Sequence, residues 1–243
     1  MRLLVFQHID CEHPGRLRHY LAEDSVDWVA VQLDRGEPIP RLEDFDALWV
    51  MGGPMDVWDV DRHPWLIDEK RAIRTWVTEL ERPFLGLCLG HQLLADALGG
   101  TCGPQTPPEI GVCSIDLTSA GRVDPIFAGM PDRQIGLQWH SVRVAQAPED
   151  AEVLATSPLC PVQALRVGER AWSMQYHVEV EADTVSNWGE VPEYRAALES
   201  TLGPDALSAL ISDTSANLDD MVEGAERLYR NFAGQVDLSR AGG

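Results

Sequence analysis

Short apolar runs alternate with segments of helical spacing over the first hundred residues. Arg2 to Ile9 is strand-like, His13 to Asp24 carries a helical period after Pro14-Gly15, and Val26 to Leu33 is a second apolar run. Ala47 to Met51 reads as a third strand, closed by Gly52-Gly53-Pro54. Leu66, Ile67, Ile73, Trp76, Val77 and Leu80 recur near a helical period and predict a helix over Pro64 to Leu80. Pro83 to Cys88 is a short buried strand running directly into a helix, His91 to Leu98, that Gly99-Gly100 stops. Such alternation implies right-handed crossovers, a mainly parallel sheet flanked by helices, and a site at the carboxyl ends of the strands.

The pattern changes after residue 109. Ile110 to Leu117, Gln134 to Val144, Val153 to Thr156, Pro161 to Val167 and Ala171 to Tyr176 read as successive strands with turn signals between them, an antiparallel extension of the sheet. From Ala182 onward the spacing is helical, broken at Gly203-Pro204, with a frayed Gly242-Gly243 end. No repeat or low-complexity linker divides the chain. One α/β domain over residues 1–243 is expected, with the motif-bearing part at about 2–185 and a helical part at 186–243.

Nineteen basic residues, all arginine except Lys70, stand against thirty-nine acidic ones, a formal charge of -20. A nucleic-acid backbone or an anionic membrane surface is repelled by such a surface, so neither is an expected partner. No signal-peptide pattern and no eighteen-residue apolar stretch is present, and the five cysteines form no C-x-x-C pair. These features point to a cytoplasmic protein with free thiols.

One of those thiols stands in a special setting. Gly86-Leu-Cys88-Leu-Gly90 has the form glycine, x, nucleophile, x, glycine, between a strand and a helix. Small residues on both sides permit a sharp turn that presents the side chain, and the following helix's amino end favours the thiolate. The Leu89 N–H is one candidate oxyanion donor there. Gly52-Gly53-Pro54, also at a strand end, suits a second, although a plain turn explains these glycines equally well. Of seven histidines, His177 follows an apolar strand and has Glu179 two positions on. Strand alternation puts both on one face, where the carboxylate can orient the imidazole as it acts on Cys88. His91, three residues after Cys88, reads as held by the elbow.

Through Gly86-Leu-Cys-Leu-Gly-His-Gln92, Met51-Gly-Gly-Pro54 and Gln175-Tyr-His-Val-Glu179, in that order, the sequence resembles the class I glutamine amidotransferase family. Gln7-His8, Pro14-Gly15 and Glu109-Ile-Gly111 bring it nearest to its stand-alone, GMP-synthase-like members. The resemblance covers about residues 2–185. It implies a flavodoxin-like sheet, a triad of Cys88, His177 and Glu179, and an oxyanion hole from the N–H groups of Gly53 and Leu89. It also implies that Gln92 and Trp139-His140-Ser141 bind the glutamyl part of the substrate. Val178 departs from the proline usual between the histidine and the glutamate.

The expected activity is hydrolysis of a γ-glutamyl amide, such as glutamine, through a γ-glutamyl thioester. Ammonia then passes to a separate synthetase; alternatively the protein is an independent hydrolase of γ-glutamyl peptides or amines. A third, non-enzymatic reading makes Cys88 an oxidation sensor, against which the retained His177 and Glu179 count. No cofactor and no metal is expected. His8, Asp10, Cys11 and His13 have the chemistry of zinc ligands, but a pocket-lining loop after the first strand explains them better. Trp58 and Trp65, just past the glycine pair, are the tryptophans expected nearest the substrate.

Overall fold

A computed structural model describes residues 1–241, with side chains to residue 237; the Gly242-Gly243 end lies outside the described residues. Nine strands form one sheet. They are β1 (Arg2–Gln7), β2 (Asp27–Gln32), β3 (Ala47–Val50), β4 (Phe84–Leu87), β5 (Thr101–Leu117), β6 (Arg133–Gln146), β7 (Ala151–Thr156), β8 (Ala164–Val167) and β9 (Ala171–Met174). Helices α1 (Leu17–Glu23), α2 (Trp65–Thr75) and α3 (Leu89–Ala97) fall within the first half, and α4 (Thr184–Trp188), α5 (Pro192–Leu202), α6 (Ala206–Ala216) and α7 (Leu218–Ala241) close the chain.

The strand order is β2-β1-β3-β4-β9-β8-β7-β5-β6. The first five strands are parallel, and with β9 as the fifth they have the flavodoxin-like order 2-1-3-4-5. From β9 outward every pairing is antiparallel. The last strand in sequence therefore lies beside β4, and the loop leaving β9 runs next to the elbow leaving β4.

Period-two alternation sorts the apolar strand residues between two cores. Leu3, Val5, Trp49, Leu85, Leu87, Trp172 and Met174 face α1 and α7, whereas Leu4, Phe6, Leu48, Val50 and Phe84 face α2 and α3. Each fully buried leucine or phenylalanine contributes about 1.5–3 kcal/mol of transfer free energy. Leu228, Tyr229, Phe232 and Val236 of α7 lie in the first core, so the C-terminal helix is part of the central packing. A third cluster joins Leu137 and Trp139 of β6 to Trp188, Tyr194 and Leu210 of α4, α5 and α6.

Three boundaries differ from the sequence reading. The first helix starts at Leu17, because Gly15 adopts φ +42° and Arg16 N–H donates to Glu179 O at 2.8 Å, which holds Pro14 to Arg16 in a turn. The fifth strand begins at Thr101; its prolines, breakers in a sequence reading, fall at a register shift between Pro104 and Glu109. The ninth strand stops at Met174, short of Tyr176. Among the described residues, no helix is long and apolar enough to cross a membrane.

Candidate active site

Gly52 and Gly53 follow β3, Cys88 follows β4, His177 follows β9 and His8 follows β1, so all four lie at carboxyl ends of parallel strands. Cys88 caps α3 with φ +51° and ψ −103°, a conformation in which a non-glycine side chain is strained. Its N–H donates to Met174 O at 2.8 Å, which ties the elbow to the end of β9. The flanking glycines are required by close approach: a Cβ on Gly90 would lie 2.1 Å from Val50 O, and one on Gly86 2.5 Å from Gly90 O.

The other cysteines lie in unreactive settings. Burial pushes the thiols of Cys102 and Cys160 up to about 12 and that of Cys11 up to about 11. These three remain protonated at neutral pH.

His177 is buried, and its Nδ1 lies 2.7 Å from Glu179 Oε1. The second carboxylate oxygen accepts from Val178 N–H at 2.9 Å, a donor that a proline there would lack. The imidazole and carboxylate do not meet by strand alternation, since both lie past β9. His177 N–H donates to Leu137 O at 2.9 Å in an isolated bridge, and the Glu179 side chain folds back onto the ring. Trp188 of α4 meets the ring edge-on, with centroids 4.3 Å apart. Burial, the largest influence, lowers the His177 pKa, but the Glu179 carboxylate and the charge and hydrogen bond of Cys88 outweigh it and hold it well above its usual value. A protonated imidazole beside Cys88 is thereby favoured.

A cavity of about 120 Å³ opens at Cys88, Gly53, Leu89 and Gln92, with Trp139, His140 and Ser141 on one wall and Glu193 and Tyr194 of α5 on another. Neither the Gly53 nor the Leu89 N–H donates to another group among the described residues. A larger cavity, about 300 Å³, lies behind His177 between β6 and α7; Cys88 is absent from its walls.

Several side chains on the cavity wall are already committed. Gln92 Nε2 donates to Val142 O at 3.1 Å and to Gln175 Oε1 at 3.2 Å, and Gln175 Nε2 faces Cys88 Sγ at 3.8 Å. His140 Nδ1 donates to Val142 O at 2.9 Å, and its Nε2 lies 3.2 Å from Glu109. Trp139 Nε1 donates to Tyr194 O at 3.2 Å. Ser141 alone of this set is exposed. His91 is turned away from the sulfur: Ser173 Oγ lies 2.8 Å from Nδ1 and Val162 O 3.2 Å from Nε2, and burial lowers its pKa to about 3.

Trp58 and Trp65 do not line this cavity. Trp58 is exposed, and Trp65 stacks on His8 at 5.5 Å. His8, Asp10, Cys11 and His13 diverge: His8 meets Glu69, Asp10 pairs with Arg35, Cys11 O accepts from Trp188, and His13 Nδ1 accepts from Gly15 N–H. Two other triplets, Glu12–His177–Glu179 and Glu109–His140–Cys160, bring potential metal-ligand atoms within 4.8 Å of one another. In both, protein hydrogen bonds already engage part of the donor set.

Three participants carry no motif in the sequence. Glu12 is buried beside His177, Tyr194 donates to it from α5, and Gln175 reaches Cys88. The only sequence signal for them was position: Glu12 in the loop after β1, Gln175 two residues before His177, and Tyr194 in an unassigned helix.

Residues 8–186 match the family described as Glutamine amidotransferase class-I. The GMP synthase [glutamine-hydrolyzing] of Aeropyrum pernix is 35% identical over 165 residues, 65% of this chain; the chain spans only 30% of that protein's length. The glutamine amidotransferase-like protein YfeJ of Salmonella typhimurium is 31% identical over 99% of both chains. A crystal structure of a glutamine amidotransferase from Thermotoga maritima superposes with a TM-score of 0.83 at 27% identity, covering 95% of this chain and 97% of that one.

Proposed function

The chain belongs to the class I glutamine amidotransferase family, and on that premise we propose that it hydrolyses a γ-glutamyl amide, glutamine first among them, with Cys88 as nucleophile. The Cys88 thiolate attacks the side-chain amide carbon, and the N–H groups of Gly53 and Leu89 stabilise the tetrahedral oxyanion. Protonated His177, oriented by Glu179, gives its proton to the departing amine as the C–N bond breaks, leaving a γ-glutamyl thioester. His177 then takes a proton from water, which attacks the thioester; glutamate leaves and the thiolate returns.

One observation carries this reading: two unpartnered amide donors, a strained elbow cysteine and a carboxylate-held imidazole converge on one cavity. Purified protein is expected to release glutamate from glutamine or another γ-glutamyl amide, and Cys88→Ala to release none. Full turnover by Cys88→Ala would overturn the reading.

What leaves is a separate question. The chain spans 30% of the Aeropyrum GMP synthase, which supports delivery of ammonia to a synthetase on another chain. A second reading, an independent γ-glutamyl amine hydrolase, is favoured by the cavity wall. Asp56 and Glu193 line it and no lysine or arginine does, which suits a leaving group carrying an ammonium. Unaided turnover of γ-glutamyl amines faster than glutamine would support the second reading; glutaminase activity that rises with a co-purified synthetase would support the first.

A further inference from the structure

We propose that the buried His8–Glu69 pair locks and polarises the Gly52–Gly53 peptide, so that the Gly53 N–H becomes a strengthened oxyanion donor. The inference rests on the acyl-transfer reading above and assigns positioning residues to it. His8 Nδ1 lies 2.7 Å from Gly52 O, and His8 Nε2 lies 2.8 Å from Glu69 Oε1. Both side chains are fully buried. Gly52 O is the carbonyl of the peptide whose nitrogen is Gly53 N, so a bond to one end of this planar unit acts on the other.

Both ring nitrogens of His8 face acceptors. A carbonyl oxygen cannot donate, so Nδ1 must; serving the carboxylate as well takes a second ring proton. A charge-assisted bond to Gly52 O draws electron density toward the oxygen, makes the Gly53 N–H more positive, and strengthens whatever bond that N–H makes. The titratable groups facing His8 are Glu69 of α2 and Glu12 of the loop after β1, both carboxyls, and they outweigh burial to raise its pKa. Trp65 stacks on the ring and Glu12 packs against Gly52, so the peptide is held from two sides. At Gly53 a Cβ would lie 2.7 Å from Met55 Sδ and 3.0 Å from Leu89 Cδ2, which brings the two candidate donors together.

The pair lies outside the Cys88–His177–Glu179 set and outside the cavity wall, so its effect travels through the peptide alone. Glu69→Gln separates charge from structure. The new amide can donate to Nε2, leaving the Nδ1–H bond to Gly52 O in place while the imidazole becomes neutral.

The test combines kinetics with nuclear magnetic resonance on the full chain. Glu69→Gln is expected to lower kcat about tenfold and His8→Ala about a hundredfold, within the range of losing part or all of one oxyanion donor. KM is expected to stay within about twofold, and alkylation of Cys88 by iodoacetamide, which forms no oxyanion, to be unchanged, as no merely structural defect would allow. In the wild type at pH 8, ¹⁵N spectra should show both His8 ring nitrogens protonated, and the Gly52 carbonyl ¹³C resonance should shift in Glu69→Gln. A neutral His8 in the wild type, or kcat unchanged in both variants, overturns the inference. A wild type that turns over no γ-glutamyl compound, yet shows protonated His8 and a responsive Gly52 carbonyl, leaves the polarised peptide standing and removes the proposed reaction instead.

Discussion

The Tyr194 hydroxyl donates a hydrogen bond to the Glu12 carboxylate although 182 residues separate them in the chain. This bond pins α5 to the loop after β1, beside His177. Glu12 is buried, its other oxygen has no partner, and burial raises its pKa despite the opposing charge of His177. Tyr194→Phe leaves the carboxylate without that donor. The loss expected is about 1–3 kcal/mol of stability, the cost of an unsatisfied buried polar group; urea unfolding at pH 7 measures it.

Glu179 uses both oxygens, one on His177 Nδ1 and one on Val178 N–H. Glutamine cannot accept at both positions, because its amide nitrogen would face one of two donors. Glu179→Gln is therefore expected to lower kcat by about 10²–10⁴ with little change in KM, and His177→Ala to lower it at least about a hundredfold. Steady-state glutamate release reads both.

Gly90→Ala places a methyl group 2.1 Å from Val50 O, a backbone atom of a central strand. Neither the strand nor the elbow can move without disturbing Cys88. A loss of about 3 kcal/mol or more is expected, visible as a lower melting temperature or as insoluble protein. A variant as stable as the wild type would refute this account of the elbow.

The pH dependence of stability has a component at His91. Burial lowers its pKa to about 3, whereas the unfolded chain titrates near the usual 6.5. The stability it contributes is thus fully present above pH 6.5 and is lost as pH falls toward 3. His177 and His8, with raised values, act in the opposite sense: their contribution is present below 6.5 and lost as pH rises through the raised values. Because several groups overlap, the difference between wild type and His91→Asn is the informative quantity. Between pH 7 and 5 the wild type is expected to lose stability relative to the variant in urea titrations.

Local patterning was sufficient for most elements. Near-continuous apolar runs marked β1, β3 and β4, and helical spacing marked α2. Where local rules misled, a distant contact overrode them: Glu179 O reorganised the start of α1, and the long β5–β6 pairing absorbed prolines that read as breakers. Gln92 and His140 could be placed near the cavity from sequence, but not the direction of their polar atoms, which Gln175, Val142 and Glu109 decide.

By itself the sequence determined what depends on neighbours in the chain: the alternation of strands and helices, the glycine-flanked elbow at Cys88, and the pairing of His177 with a carboxylate two residues away. Only the tertiary structure decided which separated segments meet. Placing β9 beside β4 brings His177 to Cys88, packing α5 on β6 brings Tyr194 to Glu12, and His8 reaches Glu69 across α2. Those contacts depend on burial and on the closure of long loops, which no local spacing encodes.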